Sequence, residues 1–128
     1  MTDTPILTQL AALATGSMPS EVIDGIPARI VDIVGIAVRA STLDTSRSVV
    51  GFSTDQGTSP QSTAIGASVK MSVAEAAFVN GVLAHSLDYD DTHLPSILHP
   101  SASVVPAALA AAEWVDASGT ALLEAVTA

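Results

Sequence analysis

Apolar residues at helical spacing restrict the fold of this chain more than any other feature of its sequence. Within the segment 27–40 they recur at i, i+3 and i+4, as on the buried face of a surface helix: Ile30, Ile33, Val34, Ala37 and Val38. The alanine-rich segment 103–117, closed by Gly119, has a similar helical character. Both segments are therefore predicted to be helices.

Residues with capping preferences place the remaining helices. Thr4 precedes a proline and is a typical N-cap for a first helix. Ser72 and Glu75 have the spacing of a capping box, which predicts a helix over 73–87. Apolar periodicity predicts a last helix over 120–128, and this helix lacks a C-cap signal. The chain is therefore expected to end inside a larger helical domain.

The segment 41–68 is rich in serine, threonine and glycine and is predicted to be mainly a loop. Val49, Val50 and Phe52 are expected to form a short strand there or to anchor the loop. Because the other segments are helical, the predicted fold class is all-α, with residues 1–128 forming one partial helical domain.

Composition excludes several classes of function. Thirteen acidic residues against four basic ones give a net charge of −9, which disfavours binding to nucleic acid. The absence of cysteine excludes disulfides, thiolate zinc sites and a cysteine nucleophile. The N-terminus has no basic segment typical of a signal peptide, and no uninterrupted apolar run reaches the roughly 18 residues of a membrane span. A cytoplasmic protein without membrane contact is therefore expected.

Low charge combined with high apolar content indicates a partly covered surface. Only 13% of the residues are charged, whereas 48% are hydrophobic. A small monomer needs more charge than this on its surface, so further chain or a partner subunit is expected to cover part of it. An ordinary alanine-rich helical domain is the alternative.

Titratable side chains are concentrated between His85 and His99. This window holds all three histidines of the chain, together with Asp88, Tyr89, Asp90, Asp91 and Thr92. If the preceding helix continues, His85, Asp88 and Tyr89 share one face at i, i+3 and i+4. A histidine near a carboxylate is suited to proton transfer near neutral pH, so the cluster is a candidate acid/base site.

Other interpretations of this cluster remain open. Asp90 and Asp91 have the pattern of a solvated helix end, His93 that of a loop histidine, and His85 that of a half-buried helix residue. Histidines and aspartates are also ligands for zinc or non-haem iron, but the H-E-x-x-H spacing is absent. A serine hydrolase is disfavoured because the chain has no G-x-S-x-G motif.

A long compound motif resembles the hallmark of the MmgE/PrpD family. It spans residues 80–113 and is NGVLAHSLDYDDTHLPSILHPSASVVPAALAAAE. The family includes 2-methylcitrate dehydratases, cis-aconitate decarboxylases and an iminodisuccinate epimerase. The resemblance implies a cytosolic homodimer whose subunit has a large all-α domain and a smaller α+β lid. It also implies a lyase without cofactor or metal, which removes a proton beside a carboxylate and expels water or CO2.

The resemblance also assigns roles to residues. Asp88 is expected to line the pocket and orient its neighbours, Thr92 to donate a hydrogen bond, and His99 to act as acid/base or as partner of a substrate carboxylate. His85 and Asp91 match the motif as well and are expected to support these three.

One departure from the family concerns its cationic residues and its lid. Family members are several times longer, and the lysines that bind substrate carboxylates lie beyond the end of this chain. Lys70 lies upstream of the motif and is no obvious replacement. The fragment alone is therefore expected to be inactive on its small di- or tricarboxylic acid substrate. A non-catalytic helical interaction module and a dicarboxylate epimerase are the alternatives.

Overall fold

A computed structural model describes residues 5–56 and 59–128. This part of the chain forms seven α-helices and a two-stranded antiparallel sheet: α1 Ile6–Ala14, α2 Ser20–Ile23, α3 Ile26–Ala40, α4 Asp44–Asp55, β1 Ser62–Thr63, β2 Lys70–Met71, α5 Val73–His85, α6 Pro100–Trp114 and α7 Gly119–Thr127. The predicted all-α class is confirmed, because the sheet is limited to two residues in each strand.

Capping residues and apolar spacing predicted several of these helices closely. Helix α3 begins one residue before the predicted start and ends at the predicted Ala40. The Ser72 side chain accepts a hydrogen bond from the Glu75 N–H at the start of α5, as the capping box predicts. Helix α7 has a cap of the same kind, in which Ser118 accepts from Ala121. The predicted cap Thr4 lies outside the described residues.

Several predicted element boundaries or types were wrong, among them the ends of α5 at His85 and of α6 at Trp114, which were predicted at Leu87 and Ala117. Val49, Val50 and Phe52 lie in helix α4 and not in a strand or loop. This helix packs against α5, and contact of its half-buried Val49 and Val50 with the central core outweighs the weak helix propensity of its serines and threonines. Helix α6 begins three residues earlier than predicted, at Pro100, and Gly119 starts α7 instead of closing α6.

Helix α5 lies at the centre of the fold. It packs most extensively against α6 and next against α3. Its residues Ala76, Val79, Leu83 and Ala84 are all completely buried. Small side chains on the facing helices, among them Ala37 and Ala110, let the backbones come close around this core.

The crossing of α5 and α6 depends on one glycine and one proline. A Cβ atom at Gly81 would lie only 3.3 Å from the carbonyl oxygen of Ala102 on α6. That carbonyl lacks its usual helical donor, because Pro106, four residues later, has no N–H. Gly81 lies one turn before His85, and Ala102 lies one turn after His99. The close crossing therefore brings the two histidines towards each other.

Glu113, near the C-terminal end of α6, connects this helix to the small sheet through polar contacts. Its carboxylate accepts hydrogen bonds from the backbone N–H and the hydroxyl of Thr63, at 2.6 and 2.9 Å. It also forms an ion pair with Lys70 at 2.7 Å. Hydrogen bonding by Lys70, with a smaller contribution from the Thr63 N–H, lowers the pKa of Glu113 below its ordinary value of 4.5.

We expect Glu113→Gln to destabilise the fold at neutral pH and much less in acid. Since the pKa of Glu113 is lowered in the folded chain, its stabilising effect is complete above about pH 4.5 and disappears as the pH falls through the lowered pKa. Urea unfolding of both proteins between pH 3 and pH 7 measures this difference. Glu124→Gln, at an exposed position, is the matched control and should show little pH dependence. A constant difference between Glu113→Gln and the unmodified chain would contradict the expectation.

Helix α1 exposes its large apolar side chains. Ile6, Leu7, Leu10 and Leu13 are between 53% and 76% exposed, and none of the residues of α1 is buried. An apolar helix of this kind normally lies against another surface. Among the described residues, no helix has the length and hydropathy needed to cross a bilayer.

Candidate active site

The loop between α5 and α6 carries the candidate site. Helix α5 ends at His85, and the chain then turns through Asp88, whose backbone has a left-handed conformation with φ of 54°. Aspartate tolerates this conformation better than most residues other than glycine. The predicted continuation of the helix is therefore wrong, and His85, Asp88 and Tyr89 do not share a helical face. Tyr89 is 77% exposed.

Asp90 is the buried centre of the site. Its side chain has no exposed surface, although the sequence pattern of an Asp pair favoured a solvated position. Its two carboxylate oxygens lie 3.0 and 3.1 Å from Nδ1 of His85. The same carboxylate lies 3.2 Å from Nδ1 of His99. A buried carboxylate is costly unless donors compensate its charge, and the two imidazoles are the groups placed to do so.

His99 occupies the position immediately before α6 and is less exposed than His85. Its side chain is 27% exposed, compared with 53% for His85. The two rings meet edge to face, with centroids 4.8 Å apart. The contact of His99 with Asp90 is electrostatic, since its ring N–H direction does not satisfy hydrogen-bond geometry. Its other nitrogen, Nε2, lies 4.0 Å from Oδ1 of the exposed Asp88.

Asp91 connects the loop to two neighbouring helices. One carboxylate oxygen accepts a hydrogen bond from the Ser101 N–H at 3.2 Å. This N–H belongs to the first turn of α6, where donors have no partner inside the helix and negative charge is favourable. The other oxygen pairs with Arg29 of α3 at 2.5 Å. Asp91 thus caps α6 and holds its N-terminus beside α3.

The remaining residues of the window lie at the surface. Thr92, predicted to be a hydrogen-bond donor to substrate, is exposed. His93 is also exposed and makes a local contact with Ser96, with 2.6 Å between Nδ1 and Oγ. The His93 N–H donates to the Leu98 carbonyl at 2.8 Å, which closes the segment between them into a turn. The structure therefore brings together His85, Asp88, Asp90 and His99, and leaves Thr92 apart from them.

An apolar cavity of about 510 Å³ opens beside the two histidines. It lies between α5 and α6 and is lined by Ala77, Phe78, Gly81, Val82, His85, His99, Ala102 and Ser103. Its volume falls in the range of small-molecule sites. Its lining contains titratable groups at one end only, where the two imidazoles lie.

Basic side chains contribute little to this site. Lys70 is paired with Glu113, which lies about 20 Å from His99 along α6. Arg29 is the cation near the loop, and it is paired with Asp91. Arg39 donates to Thr42, and Arg47 pairs with Asp44. No lysine or arginine of the described residues therefore lines the cavity.

The cluster also contains ligand types suited to a metal ion. His85, Asp88, Asp90 and His99 each offer one ligand atom, and these atoms lie within 4.8 Å of one another. Two imidazoles and two carboxylates fit zinc or iron chemically. The expectation of a site without metal or cofactor stays a prediction.

Comparison with known proteins identifies the family. The family model described as the MmgE/PrpD N-terminal domain matches residues 6–128. The chain belongs to the MmgE/PrpD family. Among curated MmgE/PrpD relatives, human cis-aconitate decarboxylase is 33% identical over 107 residues, which cover 83% of this chain and 22% of that protein. The enzyme of the same name from Mus musculus is 32% identical over 108 residues, covering 80% of this chain and 22% of its own length.

The chain thus spans about a fifth of the length of these curated MmgE/PrpD relatives. No solved structure matches it significantly. Asp90 is the residue of the site that was not singled out from the sequence. The sequence feature that could have predicted its role is its position two residues after Asp88. A chain that turns out of the helix at Asp88 can direct the Asp90 side chain back towards the end of α5.

Proposed function

We propose that this chain is the N-terminal part of a lyase that acts on small di- or tricarboxylic acids without a cofactor. The proposal rests on the pair of imidazoles around a buried carboxylate. Both rings also line an apolar cavity. His99 is the group proposed to exchange a proton beside the substrate carboxylate, because it is the less exposed imidazole. The similarity to cis-aconitate decarboxylases supports this class of substrate.

The other residues have supporting roles in this proposal. Asp88 lies 4.0 Å from Nε2 of His99 and orients the ring or the bound acid. Thr92 donates a hydrogen bond to substrate after the loop adjusts, and His85 and Asp91 hold the loop in place. The active protein is proposed to be a cytoplasmic homodimer, in which part of the exposed apolar surface is covered.

The test is turnover by the native gene product, purified from its source cells at whatever length it has there. Release of CO2 from cis-aconitate would identify a decarboxylase, and conversion of 2-methylcitrate to an unsaturated acid would identify a dehydratase. Turnover should survive a chelator if no metal takes part. The proposal fails if neither acid is turned over and if cis-aconitate also leaves the His85 and His99 signals of the 128-residue chain unchanged in NMR titrations.

An epimerase of the same family is a second candidate, because epimerisation also begins with removal of a proton beside a carboxylate. A change in the optical rotation of a chiral dicarboxylate, without release of water or CO2, would favour it. A non-catalytic helical module is the third candidate, and the exposed apolar residues of α1 favour it. A stable complex with another protein, without turnover of any of these acids, would support the module.

A further inference from the structure

We infer that Asp90 is a positioning residue that holds His85 and His99 with Nδ1 towards its carboxylate, so that each ring presents Nε2 away from it. This role in catalysis rests on the proposed lyase function. The geometric part of the inference concerns the chain alone and can be tested without any substrate.

Burial of the Asp90 carboxylate determines the tautomer of His85. The Asp90 side chain has no exposed surface, and its polar contacts within the described part of the chain are with the two imidazoles. An ionised carboxylate only accepts hydrogen bonds. The Nδ1 atom of His85, 3.0 and 3.1 Å from its two oxygens, must therefore be the protonated nitrogen in the neutral ring.

The Asp90 carboxylate also lies beside the ring of His99. The nearest nitrogen of His99 is also Nδ1, at 3.2 Å from Oδ2 of Asp90. Although this contact is not aligned as a hydrogen bond, a proton on Nδ1 lowers the electrostatic energy beside a buried negative charge. The same carboxylate thus favours the same tautomer in both rings.

The tautomer determines whether Nε2, the ring nitrogen opposite Nδ1, can accept a proton. A neutral imidazole with its proton on Nδ1 has a lone pair on Nε2, which can accept a proton. Nε2 of His99 is the nitrogen that faces Asp88, at 4.0 Å, but the Asp88 side chain is 80% exposed. Solvent therefore screens its charge, and the closer, buried Asp90 determines the tautomer. Both rings also line the apolar cavity. The tautomer set by Asp90 therefore makes Nε2 of His99 the nitrogen that exchanges the proton in the proposed reaction. It accepts the proton in a dehydration, whereas in a decarboxylation it passes a proton taken from water to the carbon that loses CO2.

The experiment measures the ring nitrogens of the ¹⁵N-labelled chain by NMR, at a pH where the imidazoles are neutral. In the unmodified chain, the protons of His85 and His99 are expected on Nδ1. In Asp90→Asn, the amide group both donates and accepts, so at least one of the two rings should lose most of this preference. Asp91→Asn is the matched control for this readout, because Asp91 contacts Arg29 and Ser101 and neither imidazole. The ring signals of His93 provide an internal reference.

Two results would overturn the inference. One is a folded Asp90→Asn chain in which both rings keep the tautomers of the unmodified chain. The other needs no variant: predominant protonation of Nε2 in either ring of the unmodified chain is sufficient, even if Asp90→Asn does not fold.

Kinetics of the native gene product separate this inference from the proposed function. Asp90→Asn is expected to lower kcat by roughly 10²–10⁴-fold, as loss of the correct tautomer does in other acid/base sites. KM should stay within about threefold, since Asp90 is buried behind the histidines and does not bind the acid directly. If the protons of His85 and His99 lie on Nδ1 but no acid is turned over, the positioning role of Asp90 stands and the lyase function is rejected. Turnover that is unaffected by Asp90→Asn would reject the positioning role alone.

Discussion

Replacement of His99 by alanine is expected to reduce kcat of the native gene product by roughly 10²–10⁴-fold, the usual contribution of a positioned general acid or base. His99 lines the apolar cavity and has Asp90 and Asp88 on its two ring edges, at 3.2 and 4.0 Å. No other histidine occupies an equivalent position in the described part of the chain. His85 is the nearest imidazole, but it precedes the loop and forms its own hydrogen bonds with Asp90.

The matched control for this variant is His93→Ala. His93 belongs to the same loop but is exposed and contacts Ser96. Its replacement should leave kcat within about threefold, because it removes no group from the cavity. Circular dichroism of both variants checks that the helices remain. Near-normal kcat in a folded His99→Ala protein would remove His99 from the mechanism, whatever the identity of the substrate.

The largest loss of stability is expected from Leu83→Ala. Leu83 has no exposed surface and packs in the central core with Val79 and Ala110. Loss of a buried leucine side chain costs about 2–5 kcal/mol, through lost hydrophobic burial and the cavity left behind. A domain of ordinary stability, roughly 5–15 kcal/mol, would lose a large part of its folding free energy. Urea unfolding followed by circular dichroism measures the change.

Leu13→Ala on helix α1 is the same substitution at a position that is 57% exposed. It should change the free energy of unfolding by less than about 0.5 kcal/mol. Equal effects at the two positions would show that α5 is not the centre of the core. A large effect at Leu13 alone would indicate that the exposed face of α1 is buried in solution, for instance in a dimer.

Sequence patterns predicted those parts of the fold that local signals determine. Helix α3 follows its apolar spacing, and α5 begins at the Ser72 cap. Helix α4 was missed because packing of Val49 and Val50 against the core stabilises it, while its buried positions Ser46 and Ser53 carry serine, which gives little information on burial. The end of α5 was also missed. No glycine marks it, and the chain leaves the helix through Asp88 in a left-handed conformation.

The candidate site was predictable in its location but not in its arrangement. The concentration of histidines and aspartates indicated the window, and the family motif selected His99 and Asp88 within it. Which carboxylate is buried depends on the path of the loop, which places Asp90 inward and Asp91 on the N-terminus of α6. A linear pattern does not distinguish two adjacent aspartates that the chain directs to opposite sides.

The close approach of Gly81 to the Ala102 carbonyl has a consequence for how this site can vary. The separation of the two imidazoles is set by backbone contact between two helices, at 3.3 Å for an added Cβ, and not by the length of the connecting loop. The turn between His93 and Leu98 is closed by its own backbone hydrogen bonds. Insertions or exchanges in that turn can therefore leave the spacing of the two imidazoles unchanged. Variation of the loop and the spacing of the imidazoles are thus separable in this region, whereas imidazole spacing and helix packing are not.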